Sequence, residues 1–175
     1  GVGEAESDFS AFAESGMGAE TDAYIAENAT VRHALTVAEG VSVAEPVILE
    51  VTLDAAHPTA LTSLSVDAKA GSSLTIVQVL RGDAEHGAAA SLTRIRAGEN
   101  AQVRLVQIQL LGDNARRWNA AAVEEGRNAR VEQVRIELGG ILSACGTRAA
   151  LSAAKSEYDL DAVYFGSGSA LLDYN

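Results

Sequence analysis

Cysteine and aromatic residues are scarce in this chain of 175 residues. The single cysteine, Cys145, excludes an internal disulfide framework, and a reducing, cytoplasmic compartment is the simplest inference. Aromatic residues make up only 5% of the sequence, so the core has to be built from Val, Leu, Ile and Ala. No apolar run approaches the roughly 20 residues that a membrane span needs. The first residues also lack the basic and apolar regions of a signal peptide.

Basic residues are also in short supply. Lys and Arg number 13 against 24 Asp and Glu, which gives a formal net charge of −11. Such a surface repels polyanions, so nucleic acid and anionic membranes are not expected partners. The only adjacent basic pair is Arg116–Arg117.

A thirteen-residue pattern is present twice. The stretch "AGENAQVRLVQIQLLG" is followed by "EEGRNARVEQVRIELGG", and both read G-x-N-A-x-V-x-x-V-x-I-x-L when aligned on Gly98 and Gly126. Gly71, Gly98 and Gly126 are spaced 27 and 28 residues apart, and each opens a new apolar run. A period of this size without helical segments predicts an all-β solenoid, a parallel β-helix in which successive coils stack. An antiparallel sandwich of hairpins is the alternative, since its strands would also alternate between apolar and polar residues.

The alternation of apolar and polar residues shifts by one position halfway through the repeat. Val103 and Leu105 share one parity, whereas Val106, Ile108 and Leu110 share the other. One strand cannot bury both sets on one side. A bulge or corner near Leu105–Val106 is therefore predicted to turn the second half inward.

The first 29 residues differ from the rest. The stretch "SDFSAFAESGMG" predicts a short helix, with Ser7 or Asp8 as its N-cap and Phe9 and Phe12 on one face. Such a helix would cap an end of the β-structure. The predicted organisation is an N-terminal segment over residues 1–29 and a β-helix core over residues 30–175.

Several ordered motifs resemble the SufB/SufD family of iron–sulfur cluster assembly proteins. They are "VAEPVILEVTL", "GSSLTIVQVLRG", "AGENAQVRLVQIQLLGDNARRWN", "EEGRNARVEQVRIELGG" and, at the end, "YDLDAVYFGSGSALLDYN". The similarity covers roughly residues 30–175 and is closer to SufD than to SufB. It implies a right-handed parallel β-helix that serves as a non-catalytic scaffold in cluster assembly. It also implies association with a SufC-like ABC-type ATPase and a SufB-like protein, and a homodimer or heterodimer formed through the β-helix.

The last motif departs from the family pattern. Leu171, Tyr174 and Asn175 stand where a histidine-rich continuation is common in the family. The family's Cys-x-His-Gly-like segment and the C-terminal helices that bind SufC have no counterpart before Asn175. The expectation is a truncated or reduced SufD-like core that holds no cofactor of its own and meets an iron–sulfur cluster only transiently, in a larger complex.

Few residues are candidates for metal chemistry. Cys145 is a weak candidate metal ligand, because a cluster usually needs four protein ligands and a thiolate needs an exposed, electropositive setting. A small, half-buried filler in "LSACGT" is the competing interpretation of Cys145. His33, His57 and His86 are far apart in sequence and form no ligand pair.

Carboxylates are more plentiful and support an alternative function. The candidate acids are Glu45, Glu50, Glu124, Glu125, Asp159 and Asp161. Paired acids would suit a glycosidase or the Ca²⁺ site of a polysaccharide lyase, which makes a carbohydrate-active or carbohydrate-binding β-helix the alternative. The scarcity of aromatic residues speaks against sugar stacking. A left-handed β-helix acyltransferase would need a six-residue repeat, which is missing.

Overall fold

The chain winds into a parallel β-helix of about five turns, preceded by one short helix. This computed structural model describes residues 2–3, 9 and 12–175. It confirms the predicted fold class. Two parallel sheets form the walls of the solenoid, and each turn adds one strand to each sheet.

The two sheets take alternate strands. The first sheet, sheet A, has the order β1-β2-β4-β6-β8-β10-β12. Its strands are β1 (Val2–Gly3), β2 (Val31–Val37), β4 (Thr59–Ala68), β6 (Ala88–Ala97), β8 (Arg116–Glu125), β10 (Leu142–Ala150) and β12 (Leu171–Tyr174). The second sheet, sheet B, has the order β11-β9-β7-β5-β3. Its strands are β3 (Val47–Leu53), β5 (Ser73–Gly82), β7 (Gln102–Leu111), β9 (Arg130–Leu138) and β11 (Glu157–Phe165). Among the strands of the described residues, β1 alone pairs antiparallel, with β2.

The repeat in the sequence is one turn of the solenoid. Val103 on β7 is the register partner of Val131 on β9, so the two copies of the pattern lie on adjacent coils. Asn100 and Asn128 hold the turns before these strands with positive φ angles of 58° and 53°, a conformation that Asn tolerates better than most residues. The Asn128 side-chain amide donates to the Asn100 side-chain oxygen at 3.0 Å. Equivalent turns are therefore stacked as well as equivalent strands.

Aliphatic side chains fill one half of the interior between the two sheets. Ile76 and Leu105 on sheet B and Val66 and Ile95 on sheet A are buried in a single cluster. Each is in register with an aliphatic residue on at least one neighbouring coil. Burial of these columns provides most of the apolar driving force for folding.

The predicted corner near Leu105–Val106 is wrong. β7 runs without interruption, and its inward positions continue from Val103 and Leu105 to Gln107 and Gln109. Val106, Ile108 and Leu110 consequently lie on the outer surface, because side chains alternate strictly along a strand. The buried glutamines are tolerated because adjacent coils supply their hydrogen-bond partners.

The N-terminal helix begins later than predicted. Ser7 and Asp8, the proposed N-caps, lie outside the described residues, and Phe12–Ser15 are not helical. The helix, α1, spans Ala19–Asn28. The Asp22 carboxylate accepts hydrogen bonds from the backbone N–H and the hydroxyl of Ser15, at 2.6 and 2.5 Å, which fixes the chain before the helix.

Helix α1 covers the outer surface of sheet A. Ile25 is 1% exposed and packs with Leu92 and Ala120. The segment before the helix follows the same surface, where Gly16 and Gly146 meet so closely that a Cβ on Gly146 would lie 2.4 Å from the Gly16 carbonyl carbon. No helix within the described ranges is long and apolar enough to cross a membrane.

Candidate functional site

The second half of the interior is polar. A network defined here as the polar ladder consists of Gln78, Gln107 and Gln133 on sheet B with Asn119 on sheet A. The Gln107 amide donates to the Gln78 side-chain oxygen at 2.7 Å, and Gln107 accepts from Gln133 at 2.7 Å and from Asn119 at 3.0 Å. The Tyr158 hydroxyl extends the ladder by donating to Gln133 at 2.5 Å. A continuous chain of hydrogen bonds therefore runs along the solenoid axis.

A buried ion pair lies beside the ladder, toward the last coils. Arg117 donates to the Glu137 carboxylate, and the two side chains are only 4% and 1% exposed. The Ser143 hydroxyl donates to the other Glu137 oxygen at 2.9 Å, and the Cys145 Sγ lies 3.7 Å from Glu137 Oε1. The name interior charge cluster is used for these four residues, Arg117, Glu137, Ser143 and Cys145.

Burial inside the solenoid favours the thiol form of Cys145. Burial raises the pKa of Cys145, and the negative charge of Glu137 raises it further, while Arg117 and Arg135 offset part of the rise. A thiol with a raised pKa is a weak nucleophile and a weak metal ligand. The cysteine side chain is also fully buried, so it is inaccessible in this conformation.

Two tyrosines close the interior over the charge cluster. Tyr174 on β12 is in register with Cys145, and Tyr164 on β11 is in register with Glu137. Their rings stack with centroids 4.9 Å apart. Burial raises the pKa of Tyr174 to about 12, so its hydroxyl stays protonated at physiological pH.

A small cavity lies in the interior near the first coils. Its volume is about 60 Å³, and its lining includes His33, Leu49, Gln78, Ser91 and Arg117. Most of the lining is aliphatic, and Gln78, Ser91 and Arg117 are among its polar members.

The histidines are not brought together. His33 is half-buried on β2, whereas His57 and His86 lie in exposed loops beside Asp54 and Glu85. Within the described part of the chain, no group of three or more His, Cys, Asp or Glu residues is placed to hold a metal ion. A metal role for Cys145 stays a hypothesis.

The candidate acids for carbohydrate chemistry are dispersed over the structure. Glu124 and Glu125 are neighbours on β8 and point to opposite faces, Glu124 toward Arg96 on the outer surface and Glu125 into the core. Asp159 pairs with Arg130 at 2.9 Å, and Glu50 pairs with Arg81. Glu45 and Asp161 are exposed, in a loop and on β11. Glu124 and Glu125 therefore cannot flank one glycosidic bond.

Glu125 differs from the other candidate acids because its side chain is buried. It is 4% exposed, and neither carboxylate oxygen makes a hydrogen bond to a described residue. Burial raises its pKa to about 7, and the charges of Asp159 and Glu157 add to the rise. The backbone N–H of Glu157, which already donates to the Ala129 carbonyl, offsets only part of it.

The shifted pKa of Glu125 predicts a loss of stability with rising pH. Below pH 4.5 the carboxyl is protonated in both folded and unfolded chains; between 4.5 and about 7 only the unfolded chain releases its proton. The free energy of unfolding therefore falls as pH rises through this window. Glu125→Gln is expected to be more stable than the wild type by roughly 2 kcal/mol at pH 8 and nearly equal to it at pH 4.

Urea unfolding between pH 4 and pH 8 measures this difference. The matched control is Glu124→Gln, which removes one charge from the same strand and leaves Glu125 in place. The control is expected to keep the wild-type pH dependence. A Glu125→Gln variant whose pH dependence equals that of the wild type would show that this carboxyl is ionised in the folded chain.

Comparison with known proteins agrees with the order of motifs along the coils. The model of the SufBD core domain, described as SUF system FeS cluster assembly, matches residues 51–175. The matched region runs from the end of β3 through β12 and includes the polar ladder and the interior charge cluster. No curated protein and no solved structure matches the chain. Because the match covers more than half of the chain and all of its polar interior, the chain belongs to the SufBD core family and has a role in iron–sulfur cluster assembly.

Proposed function

We propose that this chain is a non-catalytic scaffold in iron–sulfur cluster assembly. In this role it acts with a SufC-like ABC-type ATPase and a SufB-like protein and associates through its β-helix. The match of the SufBD core domain over residues 51–175 carries the proposal. The alternative of a carbohydrate-active β-helix is not favoured by any residue cluster described above.

The chemistry of the interior supports the scaffold role. The polar ladder residues are paired with one another, and the Glu137 carboxylate is neutralised by Arg117. Cys145 is a buried thiol. Groups that already satisfy one another stabilise and order a structure, whereas a catalytic or ligating group needs a free, accessible atom.

The architecture supports association with partners. A solenoid presents strand edges at its ends, and such edges have to be covered or paired. β11 forms one edge of sheet B and carries the exposed side chains of Val163 and Phe165. Both features favour a component that works inside an assembly.

Purification from native cells tests the partners. The affinity-tagged protein is expected to retain an ABC-type ATPase and a SufB-like protein, identified by mass spectrometry. A parallel purification after Leu105→Ala, which weakens the core, controls for adhesion of unfolded chains. Recovery of the folded protein without either partner would contradict the proposed assembly.

Anaerobic incubation with Fe²⁺ and sulfide tests the scaffold role separately. The chain alone is expected to show no stable cluster absorbance, and Cys145→Ser is expected to behave identically. A stoichiometric cluster that disappears in Cys145→Ser would instead assign a ligand role to this cysteine and overturn the non-catalytic role.

A further inference from the structure

The polar half of the interior contains a second buried arginine besides Arg117. Arg135 on β9 is 1% exposed, and its guanidinium donates to the Thr147 hydroxyl at 2.7 Å. Its Nε makes no hydrogen bond to a described residue. Arg117 pairs with Glu137, whereas no carboxylate in the described part of the chain forms an ion pair with Arg135. Among these residues, Arg135 is therefore a buried cation without a partner of opposite charge.

The charge of Arg135 acts on three titratable groups, and all three are neutral at pH 7. Burial raises the pKa of Cys145 above its usual value. Burial also raises the pKa values of Tyr158 and Tyr174 to about 12. A thiol and two phenols that keep their protons supply no negative charge to balance the guanidinium, which stays protonated in proteins.

Neither Glu125 nor Glu137 offsets the charge of Arg135. Glu137 is already neutralised by Arg117. Glu125 lies four positions along β8 from the register partner of Thr147, about 13 Å along the strand. An isolated buried charge is expensive unless a group of opposite sign accompanies it. One positive charge therefore remains unbalanced in this part of the interior.

Stacking of the coils brings Arg135, Cys145 and Tyr174 into one layer of the interior. One coil earlier, Gln107 and Asn119 face each other across the interior and share hydrogen bonds. Arg135 is the register partner of Gln107 on sheet B. On sheet A, Cys145 follows Asn119, and Tyr174 follows Cys145. The three residues Arg135, Cys145 and Tyr174 are called the Arg135 layer.

The Arg135 layer contains hydrogen-bond donors that lack acceptors. The Tyr174 hydroxyl, like the Nε of Arg135, makes no hydrogen bond to a described residue. The same holds for the Nε of Arg117, two residues before Asn119 on β8. Buried donors are nearly always satisfied in proteins, because leaving one unpaired costs its full desolvation energy. A negatively charged acceptor would satisfy these donors and balance the charge of Arg135 at once.

Ala162 gives such an acceptor a route into the layer. It is the register partner of Arg135 on β11, which is an edge strand of sheet B. Ala162 and Leu160 are exposed, so a single methyl group separates Arg135 from solvent on this side. Neighbouring strands lie about 4.8 Å apart, a spacing that suits a small ion better than a large organic one.

We propose that the Arg135 layer binds one small monovalent anion, a halide such as chloride, through the Nε of Arg135 and the hydroxyl of Tyr174. One negative charge balances the unpaired guanidinium, whereas a dianion would leave an excess negative charge in the interior. The anion joins β9 to β12, so it stabilises the last coils of the solenoid.

Urea unfolding in sodium chloride and in sodium gluconate tests the site. Constant total ionic strength keeps the screening of surface charges equal in the two salts, and gluconate is too large for the layer. Chloride is expected to stabilise the folded chain. Above its dissociation constant, each further tenfold increase in chloride is expected to lower the unfolding equilibrium constant about tenfold.

Arg135→Met removes the charge that the anion balances. This variant is expected to lose the chloride dependence. In gluconate it is expected to be no less stable than the wild type, because an apolar side chain replaces an unbalanced buried charge. Arg148→Met is the matched control, since it removes an exposed arginine on β10. It is expected to keep the wild-type dependence on chloride.

Tyr174→Phe makes the test independent of the folding of Arg135→Met. The substitution keeps the ring that stacks on Tyr164 and removes one donor to the anion. Hydrogen bonds to charged groups are stronger than those between neutral groups. The chloride dissociation constant, obtained from the same unfolding series, is therefore expected to rise about tenfold.

Bromide locates the ion directly. Crystals of the wild type soaked in sodium bromide are expected to show an anomalous difference peak within hydrogen-bond distance of Arg135 Nε and Tyr174 Oη. The peak is expected to be missing in Arg135→Met and present in Arg148→Met.

A water molecule at these donors would give a different pattern. It predicts equal stability in chloride and gluconate and no bromide peak, and either result would overturn the anion site. A chloride dependence that persists in Arg135→Met would place the anion elsewhere and would overturn it as well. None of these results would change the membership of the SufBD core family or the proposed scaffold role.

Discussion

Replacing Arg117 with methionine is expected to lower the free energy of unfolding by about 3–5 kcal/mol at pH 7. The substitution keeps much of the side-chain volume and leaves the Glu137 carboxylate buried without its cation. An uncompensated buried charge costs far more than the loss of the pair's mutual attraction. For a domain of this size the expected fall in Tm is roughly 10 °C.

Two further variants identify the cause of that loss. Arg148→Met removes an exposed arginine that pairs with Glu14 at 3.0 Å, and it is expected to cost less than about 1 kcal/mol. Arg117→Met combined with Glu137→Leu removes both charges and is expected to recover most of the stability. Urea unfolding measures the free energy of unfolding of each variant. Equal decreases in Arg117→Met and Arg148→Met would show that Arg117 and Glu137 do not form a buried ion pair.

Truncation of Leu105 is the second large effect. Leu105 is fully buried in the aliphatic half of the interior, so Leu105→Ala is expected to cost about 3–4 kcal/mol through lost burial and the cavity left behind. Ile108→Ala, three residues later on the outer surface, is expected to cost about 1 kcal/mol or less when measured on the monomer. Urea unfolding at low protein concentration compares them directly.

The costs of these two truncations distinguish an uninterrupted β7 from a strand with a corner near Leu105–Val106. A corner near Leu105–Val106 would bury Ile108 and expose Gln107, so that the two truncations would cost similar amounts. An uninterrupted strand gives the unequal costs stated above. Similar losses for Leu105→Ala and Ile108→Ala would therefore favour the corner.

The stacking of the coils could be predicted from the sequence, whereas the polar half of their interior could not. The spacing of Gly98 and Gly126, with Asn100 and Asn128 in the turns, depends on local backbone chemistry, and it correctly placed Val103 beside Val131. Whether Gln107 or Ile108 points inward is decided by partners on other coils. Gln107 is buried because Gln78 and Gln133 meet it there, a condition that alternation alone does not reveal.

The same limit explains the other differences. Phe9 and Phe12 suggested the helix, but the observed α1 is fixed by Ile25 against sheet A and by Asp22 bonded to Ser15, contacts that depend on tertiary packing. Which of Glu124 and Glu125 is buried depends on which face of β8 points into the core, and alternation within the strand does not decide this. Glutamines at every second position, as in Gln107 and Gln109, are the signal that could have identified a polar interior.

Adjacent coils bring Val103 and Val131 side by side, and NMR of the isotopically labelled chain measures this directly. Inter-strand backbone NOEs are expected between Val103 and Val131 and between Leu74 and Val103, because these residues are register partners in parallel strands. Side-chain amide NOEs are expected between Gln107 and Asn119 inside the solenoid. NOEs that pair β7 antiparallel with a neighbouring strand, with none between Val103 and Val131, would contradict the stacked coils.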